Sequence, residues 1–399
     1  MLSKTHLREP VANLQSRAET IAARFRERFA GKPAVWARAP GRVDLMGSHT
    51  DYNHGFVLTL PISRDTWIAA RPMPDRVVRI CSMNLDVEDE FPLDKILPVT
   101  GSRWCNYVRG VAATLQTEGL AVQGCDAVIH STVPLEAGLS SSAALECALA
   151  MLFAGLGGWS VKPERMALLC QRAENEFVGV NCGILDQYSS CLGRAGCALL
   201  LDCRDLSTRS VWLNPGITVV VCNTMSQRRL SGGEYAQRRA ECEQGAAALG
   251  VSSLRAVAPE LLAARLHELP ERIGRRCEFM VAENARAESL ASALTAGDTP
   301  AVDRLCAESF AGARDLYEIC SPAMLAMMGA MLAAPGIIGA RQAGAGFGGC
   351  MVALVDSAQT ESFRADVVRR YRHLTQVSAE VYPVEAAPGA EIFRREEIM

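Results

Sequence analysis

The residues with the clearest chemical purpose lie in the run Pro134-Leu135-Glu136-Ala137-Gly138-Leu139-Ser140-Ser141-Ser142-Ala143-Ala144-Leu145-Glu146. A glycine turn leads straight into three serines and then into strong helix formers. Backbone N–H groups and hydroxyls therefore gather at the start of a helix. Open N–H donors and the positive end of the helix dipole make an anion site there, and its natural ligand is a nucleotide phosphate. No Lys-Ser or Lys-Thr follows the glycine and no GxGxxG spacing is present, so neither common phosphate motif applies.

Two other segments crowd functional groups together. In Pro40-Gly41-Arg42-Val43-Asp44-Leu45-Met46-Gly47-Ser48-His49-Thr50-Asp51-Tyr52-Asn53, the side chains of Arg42, His49 and Asp51 offer donors and acceptors matched to the hydroxyls of a polyol. In Gln342-Ala343-Gly344-Ala345-Gly346-Phe347-Gly348-Gly349-Cys350, four glycines in six residues let the backbone approach a ligand or another loop closely. Taken singly, each motif has a plainer reading: a salt-bridged loop, a well-capped helix and a glycine-rich bend before a strand.

The elements that must position these groups can be read from periodicity. Residues 12–30 predict an amphipathic helix, with Leu14, Ile21, Phe25 and Phe29 at helical spacing. Strands are expected over 34–39, 57–61 and 66–71, and a helix over 104–116. A strand over 127–132 feeds the serine-rich turn, and the next helix runs from about 141 to 153. A helix over 163–177 ends near Gly179, and 198–202 is a strand. Asn214-Pro215-Gly216 is a turn signal and a domain boundary, which gives domains of 1–212 and 213–399. Beyond it come a buried strand over 218–223, Ala-rich helical patterns over 233–250 and 256–331, and strands over 351–355 and 379–382 that flank one more helix. The mixture is α+β.

Composition narrows the class. Of 399 residues, 49% are hydrophobic and 21% charged, and the net charge is −3. No basic run suggests nucleic acid or an acidic membrane surface. The opening residues, Met1 to Pro10, lack an apolar secretory core, and no apolar run reaches spanning length. The fifteen cysteines are odd in number and scattered, without a CxxC pair. They read as buried, reduced thiols of a cytoplasmic enzyme, not as zinc ligands or a redox motif.

In their order along the chain, the three motifs resemble the GHMP kinase superfamily and, within it, the galactokinases. Trp104-Cys105-Asn106-Tyr107-Val108, the segment from Cys170 through Glu174 to Asp186-Gln187, and Glu234-Tyr235-Ala236-Gln237-Arg238-Arg239 resemble galactokinase segments as well. The resemblance covers nearly the whole chain. It implies a ribosomal-S5-like N-terminal domain and a ferredoxin-like C-terminal domain, with ATP and a sugar meeting in the cleft between them. The implied reaction transfers the γ-phosphoryl group of ATP to the anomeric C1 hydroxyl of a monosaccharide.

The resemblance also implies roles. Asp186 matches the catalytic base, and Arg42 matches the cation beside it, which stabilises charge on the attacking oxygen. Ser48, His49, Asp51, Gly183 and Tyr235, with Arg42, match sugar-binding positions. Trp104 matches the adenine pocket. Gly138, Ser140, Ser141 and Ser142 match the phosphate cradle, with Gly346 and its neighbours Gly344, Gly348 and Gly349 supporting it. Ser142 and Glu174 match the positions that hold Mg²⁺.

Three residues depart from the pattern. Galactokinases usually read Gly-Glu-His-Thr-Asp-Tyr, whereas this chain has Gly47-Ser48-His49-Thr50-Asp51-Tyr52. The missing glutamate meets the outer C6 hydroxyl in the family, so the smaller, neutral Ser48 admits galacturonate or L-arabinose beside galactose. Asp44 stands where Asn is commoner, and a buried contact with Arg42 would compete with Asp186. Glu136 would be repelled by a triphosphate in a low-dielectric cleft, so its side chain is expected to face solvent. A non-catalytic sugar sensor is the alternative of another class. The intact Arg42, Ser140-Ser141-Ser142-Ala143, Glu174 and Asp186 oppose it. Mevalonate or homoserine as acceptor is opposed by the loop around His49, and the sequence leaves monomer and homodimer open.

Overall fold

The structure is a computed structural model that describes residues 11–226 and 233–393. The N-terminal stretch Met1 to Pro10, read above for a secretory signal, lies outside the described residues. Among the described residues, no helix is long and apolar enough to cross a membrane.

A long antiparallel pair forms the spine. Strand β1 (Val35–Met46) pairs with β2 (Phe56–Pro72) from Val35↔Ala70 to Met46↔Leu58. Its register shifts between Pro40 and Arg42 and again between Asp44 and Met46. These irregularities let the strand pass through Pro40-Gly41 and re-aim Arg42 and Asp44. The sequence suggested a loop over 40–53. In the structure, the first half of that motif is strand, because Val43 and Leu45 remain buried in the core.

Around this pair lie β3 (Val77–Ser82), β4 (Val87–Pro92), β5 (Cys125–Ser131), β6 (Cys197–Asp202) and β7 (Thr208–Trp212). The path runs β1-β2-β5-β3-β4, and β6 branches from β2 with β7 at its side. Alternate residues serve opposite faces. Trp36, Trp67 and Cys81 pack with Leu14, Ile21 and Phe25 of α1 (Val11–Phe29). Ala37, Ile68 and Ile80 pack under α2 (Arg103–Thr117), α3 (Ser141–Gly157), α4 (Pro163–Arg172) and α5 (Leu185–Leu192). The helix expected over 163–177 changes character partway: beyond α4, Ala173–Val178 winds as a π-helix.

The second sheet has the order β11-β8-β10-β9, all antiparallel, from β8 (Ile217–Asn223), β9 (Ile337–Gln342), β10 (Cys350–Asp356) and β11 (Glu380–Val384). The helices of this half are α6 (Glu234–Ala248), α7 (Pro259–Arg265), α8 (Glu271–Ala296), α9 (Thr299–Asp315), α10 (Pro322–Leu332) and α11 (Thr360–Thr375). Met327 of α10 and Phe363 of α11 fill one face of this sheet. On the other face, Val219, Val221, Val352 and Leu354 share a single core with Leu290 and Leu294 of α8 and with Val43, Leu45, Leu58 and Leu60 of the first sheet. That shared core sets the two sheets against each other.

Position 212/213, the division expected from the sequence, lies between β7 of the first sheet and β8 of the second. Strand β12 (Glu391–Phe393) returns to pair antiparallel with β1 at Trp36↔Phe393 and Arg38↔Glu391, so the end of the described chain belongs to the first sheet. The cysteines are buried, save Cys182 and Cys320, which are half-buried, in line with the sequence reading.

Candidate active site

Arg42 is the hub. Its guanidinium pairs through Nη2 with Asp186 at 2.6 Å and through Nε with Asp44 at 2.8 Å, while Nη1 donates to the Gly138 carbonyl at 2.8 Å. The arginine comes from the irregular stretch of β1, Asp186 from the first turn of α5, and Gly138 from the serine-rich turn. The contact between Asp44 and Arg42 anticipated from the sequence is thus present. Arg42 is 6% exposed, whereas the Asp186 side chain remains 26% exposed. The anchored cation presents a carboxylate that a substrate can reach.

A second carboxylate lies on the π-helical turn. Glu174 Oε1 accepts from the Tyr107 hydroxyl at 3.2 Å. Its Oε2 accepts from Gln187 Nε2 at 2.7 Å and from the Cys182 thiol at 3.3 Å. All three donors are neutral, and among the described residues none of the ion pairs includes Glu174. Burial, helped by the nearby Asp186 carboxylate, pushes its pKa up to about 6. Gln187 Nε2 also reaches Glu146 Oε2 of α3 at 3.1 Å. Glu146 is fully buried, and burial together with Glu174 holds its carboxyl well above the usual range. A π-helical turn at a polar cluster is a common functional irregularity.

The serine-rich turn opens a helix, as the sequence predicts. Ser140 precedes α3 in the left-handed region, and its hydroxyl makes no cap to the helix. Among the described residues, that hydroxyl is buried without a partner. Ser141 and Ser142 open the helix, whose first N–H groups lie free of intrahelical acceptors. The glycines of the third motif let other backbones close on this turn. A Cβ at Gly344 would come within 2.9 Å of the Gly138 carbonyl, and one at Gly349 within 2.7 Å of the Ala137 carbonyl. Cys350 N–H also donates to Ala137 at 3.0 Å. Gly346 packs instead against the Ile319 carbonyl, where a Cβ would sit at 2.6 Å. Glu136 is exposed, as the charge argument required. Trp104 is partly buried on α2, one turn before Tyr107.

Asp51 and Tyr235 lie close enough to feel the Asp186 charge, whereas Ser48 and His49 bond elsewhere. A Cβ at Gly183 would fall 1.8 Å from Asp51 Oδ2, so the carboxylate lies directly against that glycine. Burial, with the Asp186 and Asp44 carboxylates nearby, pushes Asp51 up to a pKa of about 7. Tyr235, on the first turn of α6, sets its ring 5.3 Å from that of His49 and 5.5 Å from that of Tyr52. Ser48 is buried, and its hydroxyl receives Arg341 Nη2 at 3.3 Å. The same Arg341 nitrogen pairs with Glu283 at 2.8 Å. The side chain of residue 48 is thereby tied to a buried ion pair.

Three stretches of the chain match models of known families. The galactokinase galactose-binding signature matches residues 23–72, the N-terminal domain of GHMP kinases matches 106–194, and their C-terminal domain matches 290–373. A galactokinase of Roseiflexus sp. (strain RS-1) is 45% identical over 371 residues, covering 92% of this chain and 95% of that one. This chain belongs to the galactokinase family of GHMP kinases. Another galactokinase, of Chloroflexus aggregans, is 45% identical over 358 residues, covering 88% and 92% of the two chains. The crystal structure of Lactococcus lactis galactokinase complexed with galactose superposes with a TM-score of 0.89 at 31% identity, over 95% of this chain and 99% of that one. A mevalonate kinase structure, at 15% identity and a TM-score of 0.62, shares the fold.

Three residues around the family site escaped the sequence reading as members of it: Glu146, Tyr107 and Gln187. Glu146 did carry a signal, a single charge within the apolar run of α3. Tyr107 lies three residues after Trp104, on the same helical face. Gln187 offered none beyond its place beside Asp186.

Proposed function

We propose that Asp186 and Arg42 perform the chemistry of an ATP-dependent galactose 1-phosphorylation, with Asp51, Gly183 and Tyr235 on the sugar side and the turn at 138–142 on the phosphate side. One observation carries this reading. The Arg42 guanidinium bonds Asp186 and the Gly138 carbonyl at once, which ties the base to the phosphate turn. As the C1 oxygen bonds to the γ-phosphorus of ATP and the bond from that phosphorus to the ADP oxygen breaks, the proton of the C1 hydroxyl passes to the Asp186 carboxylate and ADP leaves. Arg42 holds that carboxylate in place and offsets negative charge on the attacking oxygen.

The donor set fits Mg²⁺. Glu174 is a buried carboxylate served by neutral donors, and Ser142 presents a hydroxyl at the helix start. Among the described residues there is no cluster of three or more His, Cys, Asp or Glu that could hold a metal. Such a pair of hard oxygens suits a Mg²⁺ that keeps phosphate and water ligands. The ion would supply charge neutralisation on the transferring phosphates. Trp104 would line the adenine side.

Ser48 does not turn the reading away from galactose, because its hydroxyl is engaged by Arg341 within the protein. A coupled assay of ADP release with galactose, galacturonate and L-arabinose tests this directly. Turnover is expected with galactose, and Asp186→Asn is expected to lower kcat by about 10²–10⁴-fold. Wild-type rates in that variant would remove Asp186 as the base. Turnover of galacturonate alone would overturn the substrate.

A further inference from the structure

His49 stands in a chain of hydrogen bonds whose direction is set at one end. Its Nε2 lies 2.8 Å from the Ala345 carbonyl and its Nδ1 2.9 Å from the Tyr52 hydroxyl. The Tyr52 hydroxyl lies 2.7 Å from that of Tyr317, which in turn lies 3.2 Å from the Cys242 thiol. A carbonyl oxygen only accepts, so Nε2 carries a hydrogen. In a neutral ring Nδ1 then only accepts, and the Tyr52 hydroxyl must donate to it. The Tyr52 oxygen is left to take the Tyr317 hydrogen, and the Tyr317 oxygen takes that of Cys242. Every hydroxyl donates once and accepts once in this sense. The reverse sense needs a second ring proton, hence an imidazolium at 4% exposure, and desolvation opposes that. Burial holds both phenols well above their ordinary pKa, so both keep their hydrogens.

The backbone gives an independent reason for such bracing. His49 has φ of +70°, a left-handed conformation that is unfavourable for a residue with a side chain. Conformations of this kind persist where the surroundings over-determine them. Here the surroundings include the two ring bonds and the Asn53 Nδ2 bond to the His49 carbonyl at 3.1 Å. The far ends of the chain belong to the second half of the sequence: Ala345 in the glycine-rich segment, Tyr317 just past α9, and Cys242 on α6.

We propose that Tyr52 and Tyr317 are positioning residues for sugar binding. They act through a neutral, Nε2-protonated His49, as a one-directional relay that locks the turn bearing Asp51 to the C-terminal half. This rests on reading that turn as the wall of the galactose site. The imidazole then works as a strut, and Asp51, beside Tyr52, keeps its place against Gly183.

The relay is tested on the full chain by long-range proton–nitrogen NMR of the histidine rings at about pH 8, where ordinary imidazoles are neutral. The His49 signals are those lost in His49→Gln. The Nε2–H pattern is expected in the wild type, and an Nδ1–H pattern or an imidazolium would overturn the proposal. Tyr52→Phe keeps the ring and is expected to raise the galactose KM by about 5–10-fold, with the ATP KM unchanged. Tyr317→Phe is expected to do less. The double variant is expected to match Tyr52→Phe alone, because the relay is already cut. Additive effects in the double variant would overturn the relay. Should either variant melt below the assay temperature, the wild-type spectrum still decides. A wild type inactive on galactose would sink the reading of the site while leaving the tautomer result standing.

Discussion

Asp44 and Asp186 share one guanidinium, held 2.8 Å and 2.6 Å from Arg42. Asp44 therefore fixes the direction in which Arg42 presents its guanidinium to the proposed base. Asp44→Asn weakens that hold. That change is expected to lower kcat several-fold with the galactose KM nearly kept, as steady-state kinetics would show. An unchanged or higher kcat would mean that the sharing has no bearing on the chemistry.

Glu174 lends itself to a test in which activity and stability move in opposite directions. Its carboxylate is buried among neutral donors and has a pKa of about 6. Above that pH it is an ionised group without an ion-pair partner among the described residues. Glu174→Gln is expected to raise the Mg²⁺ concentration for half-maximal rate by about 10-fold or more. It is also expected to raise the melting temperature of the metal-free protein near neutral pH. Loss of stability together with unchanged Mg²⁺ dependence would place Glu174 outside the metal site.

The pH dependence of stability should carry the mark of Asp51. Its pKa of about 7 in the folded chain compares with about 3.9 when unfolded. Between those values the folded state binds the extra proton. The contribution is therefore complete below the lower value and is lost as pH rises through the upper one. Asp51→Asn is neutral throughout. The melting temperature of the variant relative to wild type is expected to climb as pH increases across this window, read by calorimetry without ligands. A gap that stays constant would show that Asp51 is ionised in the fold.

Gly183 leaves no room for a side chain. A Cβ there would sit 1.8 Å from Asp51 Oδ2, so Gly183→Ala must push the carboxylate aside. The expected result is a galactose KM raised by about 10-fold or more, at a nearly constant ATP KM. Equal changes in both constants would point to a general disturbance of the cleft.

How far the sequence could be read depended on the kind of signal. The apolar spacing of Leu14, Ile21 and Phe25 was enough to find α1, and Gly138 with three serines was enough to find the start of α3. Periodicity failed at Pro40-Gly41, where a register shift lets a strand continue through residues that normally end one. It also could not show that 163–177 changes winding at Ala173, since a π turn is held by tertiary bonds such as those of Glu174. Residues 42, 174 and 186 were connected only by family resemblance, for nothing local says that they meet. Tyr317 was invisible for the same reason. Its importance comes from a hydroxyl partner 265 positions earlier in the chain.

The return of β12 to β1 carries a cost in time. Arg38 on β1 pairs with Glu391 at 2.6 Å, and Trp36 sits opposite Phe393. During synthesis, the sheet that carries Arg42 must therefore wait, one border open, until residues near 391 have left the ribosome. An open border of this kind invites pairing with a neighbouring chain. A nonsense mutation just before Glu391 would leave Arg42, Asp51, Gly183, Asp186 and Tyr235 in the chain and still yield a product prone to aggregate.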